Sequence, residues 1–300
     1  MKHKITIILI LMGMFLITQF IGLYVVNHYS QEDNKLPYGM EPPEIKENKD
    51  FFNIFPSIII AFIIAIVLFF LLTKFKIEFI LKLWFFAVIV LALGISINSF
   101  LPKFQYISLI SLLIALPFAL IKVFNRNIFV HNATELLIYP GIASIFAPLL
   151  NIWTMIALLI LISAYDMWAV WHSGIMQKMA KYQINTLKIF SGFFIPYLSK
   201  KDRDKIKMLK QKYKKSELKK KKIKINLAIL GGGDVVFPII AGGVMLKTLG
   251  IWPAIFVILG AALGLLYLFF FSEKKKFYPA MPYITAGIFL GMLVSVIFFN

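Results

Sequence analysis

An all-α polytopic membrane protein with nine transmembrane helices is the fold class this sequence predicts, and three observations predict it. Sixty per cent of the 300 residues are hydrophobic and mean hydropathy is +0.83, whereas an ordinary soluble domain is about half apolar. Apolar runs of about 20 residues recur along the chain, the length that a hydrocarbon layer of about 30 Å asks of a helix. Positive charge is segregated: of a net +18, the stretch from Ser173 to Lys224 alone holds seventeen Lys/Arg against three acids.

The first span runs from about Ile5 to Val26 behind Lys2 and Lys4. Its apolar core is longer than a signal-peptide h-region and no small-residue cleavage site follows, so it reads as a membrane helix. Asn27 to Asp50 is a polar loop with six acids, three lysines and Pro37, Pro42 and Pro43. Further spans are expected at Phe51 to Leu72, Phe79 to Ile97, Phe104 to Val123 and Asn127 to Leu150. The sixth opens at Asn151 and Trp153 and ends near His172. After the basic loop come Ile225 to Met245, Ile251 to Phe271 and Ala280 to Phe299. The chain thus reads as one membrane domain, 1–300: six spans over 5–172, a basic loop over 173–224 and three spans over 225–299.

Within that loop the apolar patch Ile189 to Leu198 is too short to span and reads as an interfacial segment. Lys200 to Lys222 is almost all charge, which suits a disordered stretch or a solvated helix.

Charge sets the orientation. Lys2/Lys4, Lys74/Lys76/Lys82, Lys122/Arg126, the long loop and Lys274/Lys275/Lys276 all fall on one side of a nine-span chain. By the positive-inside rule, the N-terminus and the 173–224 loop are cytoplasmic and the C-terminus lies outside, in a multi-pass protein of the cell membrane. So placed, the basic loop meets anionic lipid headgroups rather than nucleic acid. Cysteine is absent, which excludes disulfides and thiolate chemistry. Four scattered histidines argue against a dedicated metal cluster, so neither a metal nor another cofactor is expected.

Two acids stand out against this apolar background. Asp166, after Tyr165, lies about six residues from the inner end of the sixth span, and Asp234 about ten from the inner start of the seventh. At 1.5 Å per residue both sit roughly 9 to 15 Å deep. A lone aspartate at such depth costs roughly 2.5 to 3.5 kcal/mol, and such groups usually mark function. No lysine or arginine occurs in the body of either span. Two carboxylates sharing one proton solve both problems, and one ionised acid beside one protonated acid is what activating a water requires.

Around Asp234, Leu230 and the glycines Gly231, Gly232 and Gly233 allow close helix packing, or let backbone approach a reacting peptide. Pro279, Ala280, Met281 and Pro282 open the ninth span from the same side, where proline is tolerated. Their exposed backbone suits an extended substrate strand.

Glu135, with His131 nearby, is the competing feature. An intramembrane glutamate and histidine can relay protons, which would make the chain an ion- or proton-coupled transporter or channel using Asp166, Asp234 and Glu135. The other reading is a polar helix contact, in which case Glu135→Gln leaves most activity intact.

Tyr165-Asp166, Gly231-Gly232-Gly233-Asp234 and Pro279-Ala280-Met281-Pro282 resemble the YD, GxGD and PAL motifs of the presenilin and signal peptide peptidase family of intramembrane aspartyl proteases, most closely a prokaryotic, archaeal-type presenilin homologue. The nine-span layout is similar too. Methionine replaces the leucine of the third motif at Met281, a swap of similar volume. Gly232 falls at the variable position.

The resemblance implies a presenilin-like fold and an intramembrane-cleaving aspartic endopeptidase of GxGD type. It would hydrolyse peptide bonds within transmembrane helices of substrate proteins, with Asp166 and Asp234 as catalytic dyad. Tyr165, Leu230, Gly231, Gly232, Gly233, Pro279, Ala280 and Met281 would border the substrate. The implied partners are substrate helices and membrane lipid; a homo-oligomer is compatible with the chain, and natural substrates stay open.

Overall fold

The computed structural model describes residues 5–31, 33–43, 45, 47–75, 77–125, 127–172, 182–187, 189, 191–197, 226–272 and 278–299. Among them are nine long helices. They are α1 (Ile5–Ser30), α2 (Asn48–Lys74), α3 (Glu78–Phe100), α4 (Ile107–Leu120), α5 (Ile128–Phe146), α6 (Ile152–Trp171), α7 (Gly232–Leu249), α8 (Ile251–Phe271) and α9 (Met281–Phe299). A π turn, Ile121–Asn125, extends α4, and a 3-10 turn, Ala147–Leu149, follows α5. Eight of the helices, α4 with its π turn among them, are long and apolar enough to cross a membrane. The exception, α5, carries His131, Asn132 and Glu135 in an otherwise apolar run.

Helix starts follow local chemistry. Asn127 caps α5, its Oδ1 accepting from the amides of Phe129 and Val130 at 2.9 and 3.3 Å. Asn151 and Thr154 cap α6 reciprocally at 2.9 Å each way. Each satisfies first-turn N–H groups that have no intrahelical acceptor.

In a bilayer, apolar side chains gain nothing by leaving lipid for each other, so helices associate through close packing and polar contacts. Packing is closest between α8 and α9, where Gly260 and Gly264 meet Gly287 and Gly291. A Cβ on any of the four would strike the main chain of the opposite helix. Helix α1 packs against α5 and α7, and Gln19 Nε2 on α1 donates to the Val235 carbonyl of α7 at 3.0 Å. Helix α3 lies against α4 and α5, and α9 against α6. In contrast, α2 is peripheral: 6% of its spanning window is buried, against 61% for α7.

One expectation is corrected between α6 and α7, and one segment gains a structure the sequence did not mark. The segment from Ile225 to Met245 is not one helix: strand β2 (Asn226–Gly231) precedes α7. The apolar patch around Ile189 to Leu198, too short to span, contains strand β1 (Gly192–Tyr197), with Phe193 fully buried. The strands pair antiparallel from Gly192 opposite Gly231 to Tyr197 opposite Asn226. The residues explain this: Phe193 stands opposite Leu230 and Phe194 opposite Ile229, apolar pairs suited to a pleated surface. The three glycines that follow are poor helix formers, so the apolar run does not become helical until Gly232. Lys200 to Lys222 lies outside the described residues.

Candidate active site

The corrected junction changes where Asp234 stands. Instead of about ten residues into a helix, it is the third residue of α7, directly after an extended Gly231 at φ −66°, ψ 148°. At that position the backbone amides of the first turn have no intrahelical acceptor and the helix dipole is positive, a setting that favours an anion. A backbone hydrogen bond from Gly231 reaches the Asp234 carboxylate. Four residues on, Pro238 lacks an N–H, which removes the helical donor to the Asp234 carbonyl.

The three glycines are not equivalent. A Cβ on Gly232 would lie 2.5 Å from Ser191 Oγ and 2.8 Å from the Tyr139 hydroxyl. Gly232 also donates its amide to the Ser191 carbonyl at 3.3 Å, carrying the β1–β2 ladder one residue into the helix. A Cβ on Gly231 would meet Asp234 Oδ2 at 3.1 Å, whereas one on Gly233 would meet only Phe237, at an ordinary 3.7 Å. The most crowded glycine is therefore the one at the motif's variable position, and Gly233 has room for a methyl.

Asp166 is buried near the end of α6. Its Oδ2 accepts from the Met281 amide at 3.0 Å, and the Ala280 amide also bonds to the carboxylate. Those N–H groups are available because α9 begins at Met281 and first-turn amides have no intrahelical acceptor. One turn earlier, the hydroxyls of Ser163 and Thr285 lie 2.8 Å apart, a second tie between α6 and α9. Asp166 and Asp234 are close enough for their charges to interact, across the contact of α6 with α7.

The remaining predicted residues surround this pair to different degrees. Pro279, Met281 and Leu230 are buried, and Ala280 is half-buried. Tyr165 is 41% exposed, its ring tilted against Trp168 at 6.3 Å between centroids. With the Ala280 and Met281 amides committed to Asp166, the open backbone edge near the acids belongs, among the described residues, to β2. In the ladder Ser191 and Gly232 form a hydrogen-bonded pair, so in β2 Leu227, Ile229 and Gly231 turn their backbone groups away from β1.

Glu135 is not a free acid. Its Oε1 lies 2.5 Å from Lys122 Nζ, with both side chains almost fully buried. Lys122, expected in a cytoplasmic loop, instead sits in the π turn after α4 and reaches inwards. The signal for it was in the chain: a buried glutamate needs a cation, and Lys122 is the nearest lysine in sequence to Glu135. Asn132, Tyr139 and Ser191 had no comparable signal, since nothing in the sequence marks a strand for them to hold. Among the described residues, no group of three His, Asp or Glu is gathered as metal ligands.

Nine packed helices and two acids meeting at a strand-to-helix turn define a class: an aspartyl protease built into the membrane. The family model described as signal-peptide peptidase, presenilin aspartyl protease matches residues 12–300. The chain belongs to that family, and its activity is intramembrane aspartyl proteolysis of transmembrane substrates. Among solved structures, a presenilin family intramembrane aspartate protease in a C222 crystal form superposes with a TM-score of 0.61. It shares 18% identity, and the match covers 97% of this chain and 98% of the other. A P2 crystal form of a presenilin family intramembrane aspartate protease gives 0.61 at 20% identity, covering 96% of each chain. At those identities the likeness speaks for the fold. No match to a curated protein was found.

Proposed function

We propose that Asp166 and Asp234 are the catalytic dyad. What supports this is that the two acids, on the contacting helices α6 and α7, lie close enough for their charges to interact, one held by the Ala280 and Met281 amides and the other by its own helix start. The ionised member takes a proton from water as the water oxygen bonds to the scissile carbonyl carbon. The protonated member hydrogen-bonds the carbonyl oxygen and stabilises the resulting gem-diol. Collapse of the gem-diol breaks the C–N bond, and the amine leaves with a proton from the dyad. Because a coupled dyad titrates as a unit, the two roles belong to the pair.

The substrate helix presents its scissile bond to this pair as an extended segment. Leu227 and Ile229 of β2 offer outward backbone groups and half-exposed side chains in line with the Asp234 turn. Strand addition there satisfies the unwound substrate backbone, which has no water partners at membrane depth. Tyr165, Leu230, Gly231, Gly232, Gly233, Pro279, Ala280 and Met281 border that path.

The chain acts as one membrane domain in the cell membrane, with N-terminus and basic loop cytoplasmic, C-terminus outside and the loop's lysines on anionic headgroups. The charge asymmetry supports this. The transport reading loses its motive, since Glu135 is paired with Lys122. Single cysteines introduced at Lys2 and Asn300 of this cysteine-free chain test the orientation: an impermeant maleimide applied outside should label only the second.

The test of the dyad is a liposome assay with a single-span substrate, products read by mass spectrometry, for the protein beside Asp166→Ala and Asp234→Ala. Cleavage within the span by the unaltered protein and by neither variant is expected. Retained cleavage in either variant removes that residue from the dyad.

A further inference from the structure

We infer that Lys122, His131, Asn132 and Glu135 are positioning residues for proteolysis: they act as a substitute third strand that fixes the β1–β2 sheet, and through it the register of the substrate beside Asp234. The inference rests on the proteolytic reading above and concerns a cluster for which that reading has no use.

The ladder parity carries the first step. With Ser191 and Gly232 hydrogen-bonded to each other, Gly192 and Phe194 direct their backbone groups to the far edge of β1. Side chains of α5 meet both. Asn132 Oδ1 accepts from the Phe194 amide at 2.9 Å, and Asn132 Nδ2 donates to the Phe194 carbonyl at 2.8 Å. This reproduces the paired N–H and C=O contacts of a neighbouring strand. Two positions along, Glu135 Oε1 accepts from the Gly192 amide at 3.4 Å, and His131 Nε2 lies 2.8 Å from the Gly192 carbonyl. A carbonyl only accepts, so Nε2 carries the proton and His131 Nδ1, 3.3 Å from Lys122 Nζ, is the acceptor. Lys122 thus holds both residues that hold Gly192.

The ring of His131 stacks on Phe194 at 4.8 Å between centroids. At the end of the strand Tyr139, also from α5, lies 3.4 Å from Ser191 Oγ. Ser191 then bonds Gly232, two residues from Asp234. The outer edge of β1 is therefore tied to one helix at Gly192 and Phe194, while among the described residues β2's outer edge carries no such tie at Leu227 and Ile229.

Such a role differs from general stabilisation in what it controls. A sheet that can slide would still bind substrate but would present different peptide bonds to the dyad, and a misplacement of about 1 Å can cost roughly 100-fold in rate. Asn132→Leu keeps the branching at Cγ and removes both contacts to Phe194. The full-length variant in liposomes should lower kcat about 10- to 100-fold with KM changed less than about 2-fold, and should spread cleavage over neighbouring bonds. Amide hydrogen exchange should show lost protection in peptides covering β1 and β2 while α8 and α9 stay protected.

If the leucine variant does not fold, Asn132→Asp carries the same measurements. It keeps an acceptor for the Phe194 amide and loses the donor to the carbonyl, so an intermediate broadening is expected. Lys122→Met/Glu135→Gln, which removes both buried charges together, should broaden cleavage in the same direction. A folded Asn132 variant that cleaves at the unaltered bond and rate, with unaltered strand protection, overturns the inference. Exchange also separates the two proposals: it reports sheet anchoring even where neither the unaltered protein nor any variant cleaves, an outcome that would count against the dyad instead.

Discussion

Asp166 and Asp234 look alike in the sequence, each a lone acid in an apolar run, yet the fold holds them in opposite ways. Asp166 lies in the last turns of a regular helix and is oriented from outside, by the Ala280 and Met281 amides at the start of α9. Asp234 stands where a strand becomes a helix and is oriented from within, by its own N-terminal turn and the Gly231 hydrogen bond. One acid therefore depends on how α6 meets α9. The other depends on the strand junction and on α5, which grips the sheet. A dyad assembled this way has two separable points of failure, and variants can probe each without touching either carboxylate.

The largest effect is the loss of either acid. Asp166→Ala and Asp234→Ala should each reduce cleavage by on the order of 10² to 10⁴-fold, the scale of a general acid or base, while hydrogen exchange of the bundle stays unchanged. Were only one of the two silent, the dyad would reduce to a single acid and the symmetry of function behind the comparison would fail.

Next come changes at the Asp234 junction. Gly232→Ala must displace Ser191 or Tyr139, an overpacking cost of about 1 to 3 kcal/mol. Gly233→Ala, whose methyl makes only an ordinary contact with Phe237, should leave thermal stability unchanged, and any loss of cleavage it causes then reports crowding of the substrate path. A melting series ordered Gly233→Ala, Gly231→Ala, Gly232→Ala from most to least stable is the expected outcome. Equal melting in all three would mean that the junction is not tightly packed around Gly232.

The Lys122–Glu135 pair sharpens the same contrast. Lys122→Met leaves a buried carboxylate without its cation, and Glu135→Gln leaves the lysine without its anion. Either change should cost about 3 to 5 kcal/mol, whereas the double replacement should be close to neutral in stability. This revises the expectation that Glu135→Gln is mild, because the pairing with Lys122 was not foreseen. A single replacement as stable as the double would show that the charges are not coupled.

Much of this molecule was legible from residues alone. Hydropathy placed the spans to within a few residues because lipid permits little besides a helix there. Asp166 and Asp234 stood out because an acid in an apolar run demands a reason. The failures lie where backbone leaves the helix. Ile225 to Leu230 is as apolar as any span, and only Gly231 to Gly233 hinted that it could extend as a strand. Its partner, Gly192 to Tyr197, lies on the far side of the charged run Lys200 to Lys222 and pairs across about 30 residues. Asn132 and His131 could not be assigned before the strand they hold was known, since a polar side chain replacing a backbone edge leaves no periodic signature.

The smallest expected effect tests the Asp166 side. Ser163 and Thr285 are both buried, and their hydroxyls bridge α6 and α9 one turn from the acid. Ser163→Ala removes the bridge, but the Thr285 hydroxyl can turn to a carbonyl of its own helix, so the loss is about 1 kcal/mol, one ordinary hydrogen bond. Because the Ala280 and Met281 amides still hold Asp166, the rate should fall by no more than about 5-fold and the cleaved bond should stay the same. The contrast with Asn132 lies in the product spectrum: loosening α6 slows a correctly aligned reaction, whereas loosening the sheet moves the substrate. A shifted cleavage site in Ser163→Ala would break that division and place part of the register in the α6–α9 contact.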